Sequence, residues 1–353
     1  MRTPRPRRLR AWFAAATVAA ATLTGGGAFA EEQVLNLYSA RHYQTDERLY
    51  GDFTKATGIR INRVDADDAG ILARLKAEGS ASPADVILLV DAARLWRAEQ
   101  DGLFQPVKSS VLEQRVPAQF RGADAGQGSP WFGFSTRARV LVVDPARVKP
   151  EQVDTYEKLA DPALKGLVCM RSGSHPYNLS LFGSMLEHLG ADRTEAWLRG
   201  VQANLARDPK GGDTDQIRAV ASGECAVAVT NSYYYARLMR STNPADKAVV
   251  DKTRVVFPNQ SSWGTHVNIS GGAVARHAKH RDAAVKFLEY LAGDGAQRYF
   301  ADGNNEYPTV AGIVTENPAL TAMGRFKAET VPVAKVGANT AQVQMMLDRV
   351  GFK

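Results

Sequence analysis

The alternation of strand and helix patterns in the first half of the chain constrains its fold most. Short strand-like runs at 34–39, 59–64 and 86–90 alternate with segments whose apolar residues recur at helical spacing. The run at 86–90 is apolar throughout, as expected of a parallel strand that is buried on both faces. This β-α-β-α-β-α order predicts an α/β fold, with a mainly parallel sheet covered by helices on both faces.

A second series of similar patterns begins near residue 137, with strand-like runs at 137–143, 167–171 and 225–230. A chain of 353 residues is long enough for roughly two domains. Because no low-complexity linker separates the two series, we expect the chain to cross between two lobes through ordered strands near 131–136 and 253–259. Such crossings would make a cleft that closes about a hinge; two α/β domains lying side by side without a hinge are the alternative.

The N-terminus has the pattern of a cleavable export signal. Five arginines and no acidic residue precede an Ala-rich apolar run, which ends at the small-x-small triplet Ala28-Phe29-Ala30. The apolar run is about 14 residues long, short of the roughly 20 needed to span a bilayer. We predict a signal peptide over residues 1–30 with cleavage near Ala30, the alternative being a short membrane anchor. The pair Arg7-Arg8 is compatible with twin-arginine export as well as with the general route.

The positive charge of the chain lies mostly in this leader. Removing its five arginines lowers the formal net charge from +7 to +2. Since no Lys/Arg block with interleaved aromatic residues remains, we expect no nucleic-acid partner. No later stretch of 18 apolar residues occurs, so we expect the mature chain to have no membrane span and to be exported to the periplasm.

The chain contains two cysteines, Cys169 and Cys225. An even pair in an exported protein favours a disulfide over two free thiols. No CxxC motif is present, which argues against a redox-active role.

Tyrosines cluster in three connections that follow predicted strands: residues 38–46, 171–178 and 231–237. Ligands of open parallel sheets bind beyond the carboxyl ends of the strands, where these connections lie. Ionised tyrosine is a hard anionic oxygen donor, suited to ferric iron rather than to metals that favour sulfur and imidazole. Three phenolates would match the charge of a 3+ ion, and His42 could add a neutral nitrogen. Beyond Tyr38, with which the first of these segments begins, their tyrosines are Tyr43, Tyr177, Tyr233, Tyr234 and Tyr235.

Three segments carry a resemblance to a known family: Tyr38–Asp46, Arg171–Leu181 and Asn231–Leu238. They resemble the ferric-iron periplasmic binding proteins of ABC transporters, in particular the branch that needs no synergistic carbonate. The segments Trp131–Arg139 and Glu306–Val310 are similar to that family as well. The resemblance implies a two-lobed periplasmic binding fold of type II-like arrangement, with residues 31–132 plus about 259–315 in one lobe, 133–258 in the other, and a C-terminal helical segment at about 316–353.

The resemblance also implies a site and a function. The chain would be a monomeric, non-enzymatic receptor that delivers iron, as Fe(III) or possibly Fe(II), to an inner-membrane ABC permease. Arg137 and Arg237 match arginines that would hydrogen-bond to the ligand phenolates, and Tyr235 would be a neighbour that does not bind the metal. The family's iron ligands fall on His42, Tyr43, Tyr177, Tyr233 and Tyr234.

Two other functions stay open from the residues alone. A tyrosine cage could bind an organic cation such as a polyamine or thiamine, although the three connections supply no obvious cleft carboxylate besides Asp46, which we expect to cap a helix. An extracytoplasmic enzyme could use a tyrosine or His175 as an acid or base, but the sequence shows no catalytic partner. His175 and His42 are each, taken alone, more typical of hydrogen-bonded structural residues.

Overall fold

The computed structural model describes residues 1, 3, 33–41 and 45–353. The predicted ligands His42 and Tyr43 lie outside the described residues, and so does the predicted signal peptide apart from residues 1 and 3. Residues Gln33–Lys353 form one compact unit. Within the described residues, no helix is long and apolar enough to cross a membrane.

The described part of the chain contains ten strands that belong to one mixed sheet. Their bounds are β1 (Val34–Ser39), β2 (Arg60–Asp65), β3 (Val86–Leu89), β4 (Phe104–Gln105), β5 (Phe132–Val143), β6 (Val168–Cys169), β7 (Val227–Asn231), β8 (Arg254–Val256), β9 (Val267–Ala275) and β10 (Tyr307–Pro308).

Fourteen α-helices accompany these strands in the same residues. Their bounds are α1 (Asp46–Thr57), α2 (Asp68–Glu78), α3 (Ala92–Gln100), α4 (Ser110–Arg115), α5 (Pro176–Leu189), α6 (Ala191–Ala203), α7 (Asp213–Ser222), α8 (Ser232–Arg240), α9 (Pro244–Lys252), α10 (Arg281–Leu291), α11 (Asp294–Asn304), α12 (Pro318–Met323), α13 (Val333–Ala338) and α14 (Thr340–Val350).

The sheet runs in the order β2-β1-β3-β9-β5-β7-β6. Strands β2, β1 and β3 pair in parallel, as the alternating pattern predicts, and β6 pairs in parallel with β7. The sheet as a whole is mixed, because β9 runs antiparallel to both β3 and β5, and β5 antiparallel to β7. The connections that follow β1, β6 and β7 are the three tyrosine-bearing segments.

Two large hydrophobic clusters divide the core. The first contains residues from 35–140 and 267–300 with Val333, and the second contains residues from 141–229 and 343–352. Strand β5 contributes to both, since Val140 packs in the first cluster and Leu141 in the second. This strand therefore connects the two cores without a flexible linker.

Different contacts set the ends of the helices near the site. Asp91 caps α3 by accepting a hydrogen bond from the backbone N–H of Ala93 at 2.7 Å, and Gly58 closes α1 with φ +73°. The cap predicted at Asp46 is wrong: its carboxylate instead pairs with the buried Arg41 guanidinium at 2.8 Å, because a buried charge needs a partner. Ser232 is the first residue of α8, and its Oγ accepts a hydrogen bond from the Ala138 N–H.

The predicted disulfide is confirmed between Cys169 and Cys225. Cys169 ends β6, and Cys225 lies two residues before β7, the parallel neighbour of β6. Both sulfur-bearing residues are fully buried. The crosslink therefore joins the two strands whose following connections contain Tyr177 and Tyr233.

Candidate metal centre

Tyr177 lies in the first turn of α5, where the chain leaves β6. Pro176 starts the helix, and the His175 Nδ1 accepts a hydrogen bond from the Tyr177 backbone N–H at 3.2 Å. Burial, with a further contribution from Arg171, lowers the pKa of His175 to about 3. The imidazole is therefore neutral at physiological pH and serves as the helix cap, which is a structural role.

Tyr233 and Tyr234 occupy the first turn of α8, which follows β7 directly. Their rings lie 4.3 Å apart between centroids, and Tyr233 is 3% exposed. The hydroxyl oxygens of Tyr177 and Tyr233 lie 3.2 Å apart. Since oxygen ligands bind hard cations at about 2.0–2.6 Å, oxygens at this spacing can bind one ion together.

Three arginines surround the ring of Tyr177. The guanidinium carbon of Arg171 lies 5.1 Å from the ring centroid, and those of Arg137 and Arg139 lie 5.9 Å from it. Burial and the nearby Tyr234 raise the pKa of Tyr177, an effect that Arg137 and the hydrogen bond with Tyr233 only partly offset. Without a metal, Tyr177 is therefore a neutral phenol at neutral pH, and a cation must displace its proton to bind.

Asp213, at the start of α7, connects the segments that contain these tyrosines. Its Oδ2 accepts from Arg139 at 2.6 Å and from the backbone N–H of Asn231 at 2.7 Å, and its Oδ1 accepts from Arg171 at 3.2 Å. Arg139 in turn donates to the Asn178 Oδ1 at 2.6 Å, beside Tyr177. Asp213, Arg139 and Arg171 were not predicted from the sequence. The local sequence around each of them is that of an ordinary residue at a helix start or a strand end.

A cavity of about 800 Å³ opens beside Tyr233 and Tyr234. Arg237, one of the predicted supporting arginines, lines it with its guanidinium carbon 5.5 Å from the Tyr234 ring centroid. Thr45 lines the cavity as well.

Other predicted residues lie as follows. Arg137 is buried and donates to the Ser270 Oγ at 2.9 Å and to the Val90 carbonyl. The Tyr235 hydroxyl donates to the Thr253 carbonyl at 3.0 Å and so serves the packing of α8. The described residues contain no group of three or more His, Cys, Asp or Glu side chains that could hold a metal.

The fold and this cleft define the class of protein. Residues 81–326 match the model of the bacterial extracellular solute-binding proteins, and the chain belongs to that family. Its members capture a solute and pass it to a transporter, so the chain is not an enzyme, as predicted from the sequence.

Individual relatives are similar over nearly the whole chain. Iron uptake protein A1 of a Synechocystis species is 47% identical over 92% of this chain and 88% of its own length. The Trichodesmium protein IdiA (FutA), solved in complex with iron and citrate, is 46% identical with a TM-score of 0.86, covering 91% of this chain and 100% of that one. A Bordetella ferric binding protein is 41% identical with a TM-score of 0.81, over 91% of this chain and 99% of that one. These likenesses confirm the two-lobed α/β fold predicted from the sequence.

Proposed function

We propose that this protein captures iron, as Fe(III), between its two lobes and delivers it to an ABC permease for uptake. The observation that carries this proposal is the 3.2 Å approach of the Tyr177 and Tyr233 hydroxyls, at the ends of two neighbouring strands. Tyr234 lies beside them, and the family relatives with this fold include iron uptake and ferric binding proteins. In the proposal, His42 and Tyr43 reach the same ion from the other lobe.

Binding in this site requires proton release. Because burial keeps Tyr177 protonated without a metal, each phenolate–iron bond forms as a phenol proton leaves to solvent. Arg137, whose guanidinium carbon lies 5.9 Å from the Tyr177 ring centroid and which lowers the pKa of Tyr177, stabilises the resulting anionic oxygen. Iron affinity should therefore fall on acidification, and an affinity that is constant between about pH 5 and 8 would contradict phenolate ligation.

A spectroscopic titration tests the assignment. Purified protein titrated with a ferric salt should develop a visible phenolate-to-iron charge-transfer band, and Tyr177→Phe or Tyr233→Phe should weaken both the band and the affinity. Tyr235→Phe is the matched control: its hydroxyl donates to the Thr253 carbonyl instead, so the band should stay unchanged. A colourless ferric complex of the wild-type protein would overturn the proposal.

The arginines argue against the organic-cation alternative. Three guanidinium groups already lie over the face of Tyr177 that a cation cage would need, and Arg218, Arg237 and Arg240 line the adjoining cavity. Asp246 also lines the cavity and pairs with Arg218 at 3.0 Å. The two remaining arginines leave the lining positively charged, which suits an anion better than a polyamine or thiamine. Polyamine binding to a colourless protein would favour the cage.

The cavity also favours a refinement of the cargo. At about 800 Å³ the cavity exceeds the volume that a bare ion needs. Its arginines could donate hydrogen bonds to a carboxylate that accompanies the iron. The Trichodesmium relative was solved with iron and citrate. If an organic anion is bound with the metal, titration with ferric citrate should give tighter binding than titration with a ferric salt alone, and Arg237→Ala should remove the difference.

The cellular setting follows from the same proposal. We propose that residues 1–30 are removed near Ala30 on export, that the mature chain acts in the periplasm as a monomer, and that its partner is an inner-membrane permease. We also propose that residues 31–132 with about 259–315, and residues 133–258, form the two closing lobes. Support comes from the two hydrophobic clusters, which meet within β5.

A further inference from the structure

A buried carboxylate, that of Asp213, connects the segments that follow β6 and β7 and contain Tyr177 and Tyr233. Asp213 is fully buried at the start of α7 and accepts three hydrogen bonds, two of them from arginines. One donor is the backbone N–H of Asn231, two residues before Tyr233. Another is Arg171, which lies two residues after the end of β6 in the connection to Tyr177.

Arg139 extends this connection to the start of α5. Its guanidinium binds Asp213 and the Asn231 Oδ1 through one nitrogen and the Asn178 Oδ1 through the other, at 2.6, 3.1 and 2.6 Å. Asn178 directly follows Tyr177, and its amide nitrogen donates back to the carbonyls of Arg171 and Ser172 at 3.0 and 3.1 Å. Apart from the bond between Arg139 and Asp213, every bond of this set ends on a residue within about six positions of Tyr177 or Tyr233.

We propose that Asp213, acting through Arg139 and Arg171, is the positioning residue that fixes the spacing of the Tyr177 and Tyr233 hydroxyls for the metal. A carboxylate is suited to this role, since two oxygens can accept from several donors at once. An asparagine there would place an amide donor against a guanidinium or a backbone N–H, and the connections would move apart. The inference rests on the proposed function, because the spacing matters only if both oxygens bind one ion.

The test compares Asp213→Asn with a matched buried carboxylate. Glu329 is also fully buried and also accepts three hydrogen bonds, from Ser184, His188 and His266, but Ser184 lies about two helical turns along α5 from Tyr177. Glu329→Gln should lower the melting temperature and leave the charge-transfer band and the iron Kd within about twofold of wild type. Asp213→Asn should raise the iron Kd 10- to 100-fold, as the loss of a group that orients a ligand does, and should shift or weaken the band.

The outcomes separate the two proposals. If the wild-type protein shows no band, the proposed function fails; if it shows one that Asp213→Asn leaves unchanged in position, intensity and affinity, this inference alone is overturned. Equal losses of iron affinity in both variants would also overturn it, since they would reflect stability and not positioning. Should Asp213→Asn fail to fold, Arg139→Lys replaces it: a lysine keeps the charge but cannot reach Asp213 and Asn178 together through a fork, and the same band shift is expected.

Discussion

Glu329 shows how a single buried side chain can connect distant parts of this chain. Its carboxylate accepts from the Ser184 Oγ at 2.6 Å, from the His188 Nε2 at 3.0 Å and from the His266 Nδ1. Burial by itself would raise the pKa of Glu329, but the two imidazoles and the Ser184 hydroxyl lower it to about 2. The folded protein therefore holds this group ionised more strongly than the unfolded chain does.

The free energy of unfolding should depend on pH through this group. Its pKa is about 2 when folded and about 4.3 when unfolded, so its contribution is complete above about pH 5 and is lost as the pH falls toward 2. Glu329→Gln should lower the unfolding free energy by about 1–3 kcal/mol at pH 7, and the difference from wild type should shrink below about pH 4.5.

Denaturant unfolding at several pH values measures this difference. The exposed Glu151→Gln is the control, for which a change below about 0.5 kcal/mol is expected at every pH. A Glu329→Gln penalty that stays constant from pH 7 to 3 would show that the charge of Glu329 does not contribute.

At the residue level, the sequence identifies candidate metal ligands better than it identifies which buried side chains pair with each other. Tyr177 and Tyr233 could be proposed because residue type and strand-to-helix position are local properties. Asp213 could not, because its partners Arg139 and Arg171 lie 74 and 42 residues away in the chain. His266 likewise shows no local partner, since Glu329 is 63 residues away.

At the level of elements, the disulfide and the tyrosine pair have the same spacing along the chain. Cys169 and Cys225 are 56 residues apart, as are Tyr177 and Tyr233. Each tyrosine thus follows its cysteine by the same number of residues, and β6 and β7 are parallel neighbours. The crosslink therefore joins the carboxyl end of β6 to the residues just before β7, the two strands whose following connections contain the two hydroxyls.

Removing the crosslink should cost stability. In the chain-entropy picture a loop of this length contributes roughly 4 kcal/mol, and the loss of a native disulfide costs about 2–5 kcal/mol. The Cys169→Ala/Cys225→Ala double variant should therefore unfold at a lower denaturant concentration than the oxidised wild type. Reduced wild-type protein is the control, and its unfolding midpoint should resemble that of the variant. Equal midpoints for the variant, the reduced wild type and the oxidised wild type would show that the disulfide does not contribute to stability.

At the scale of the whole molecule, the sequence predicts the local order of elements but not the path of the sheet. Alternating patterns are enough to place β1, β2 and β3 with their helices. They cannot show that β9 inserts between β3 and β5, because Val86 pairs with Val274 far along the chain. The pairing of strands that are distant in sequence depends on how their side chains pack against neighbours in the folded protein, and a local sequence pattern carries no information about those neighbours.

The two clusters are held together at one end by α13, which packs between α3 and α5. A Cβ on Gly337 of α13 would lie 2.8 Å from the Cβ of Trp96 on α3, and a Cβ on Gly183 of α5 would lie 2.8 Å from the Val336 carbonyl oxygen. The Asn339 amide also donates to the Gly183 carbonyl at 3.0 Å. The helices thus approach each other through glycines, and added volume must open one of the two interfaces.

Gly337→Ala should therefore destabilise the protein although alanine is the better helix former. Overpacking of a tight core costs about 1–3 kcal/mol, which outweighs the gain of up to about 1 kcal/mol in helix propensity. Gly51→Ala, in α1 with no atom within 4 Å of the added Cβ, isolates that gain and should raise the unfolding free energy. Denaturant unfolding of both variants should give shifts of opposite sign, because one glycine maintains the contact between α13 and α3 and the other faces open space. Shifts of the same sign would mean that α13 is not packed tightly between α3 and α5.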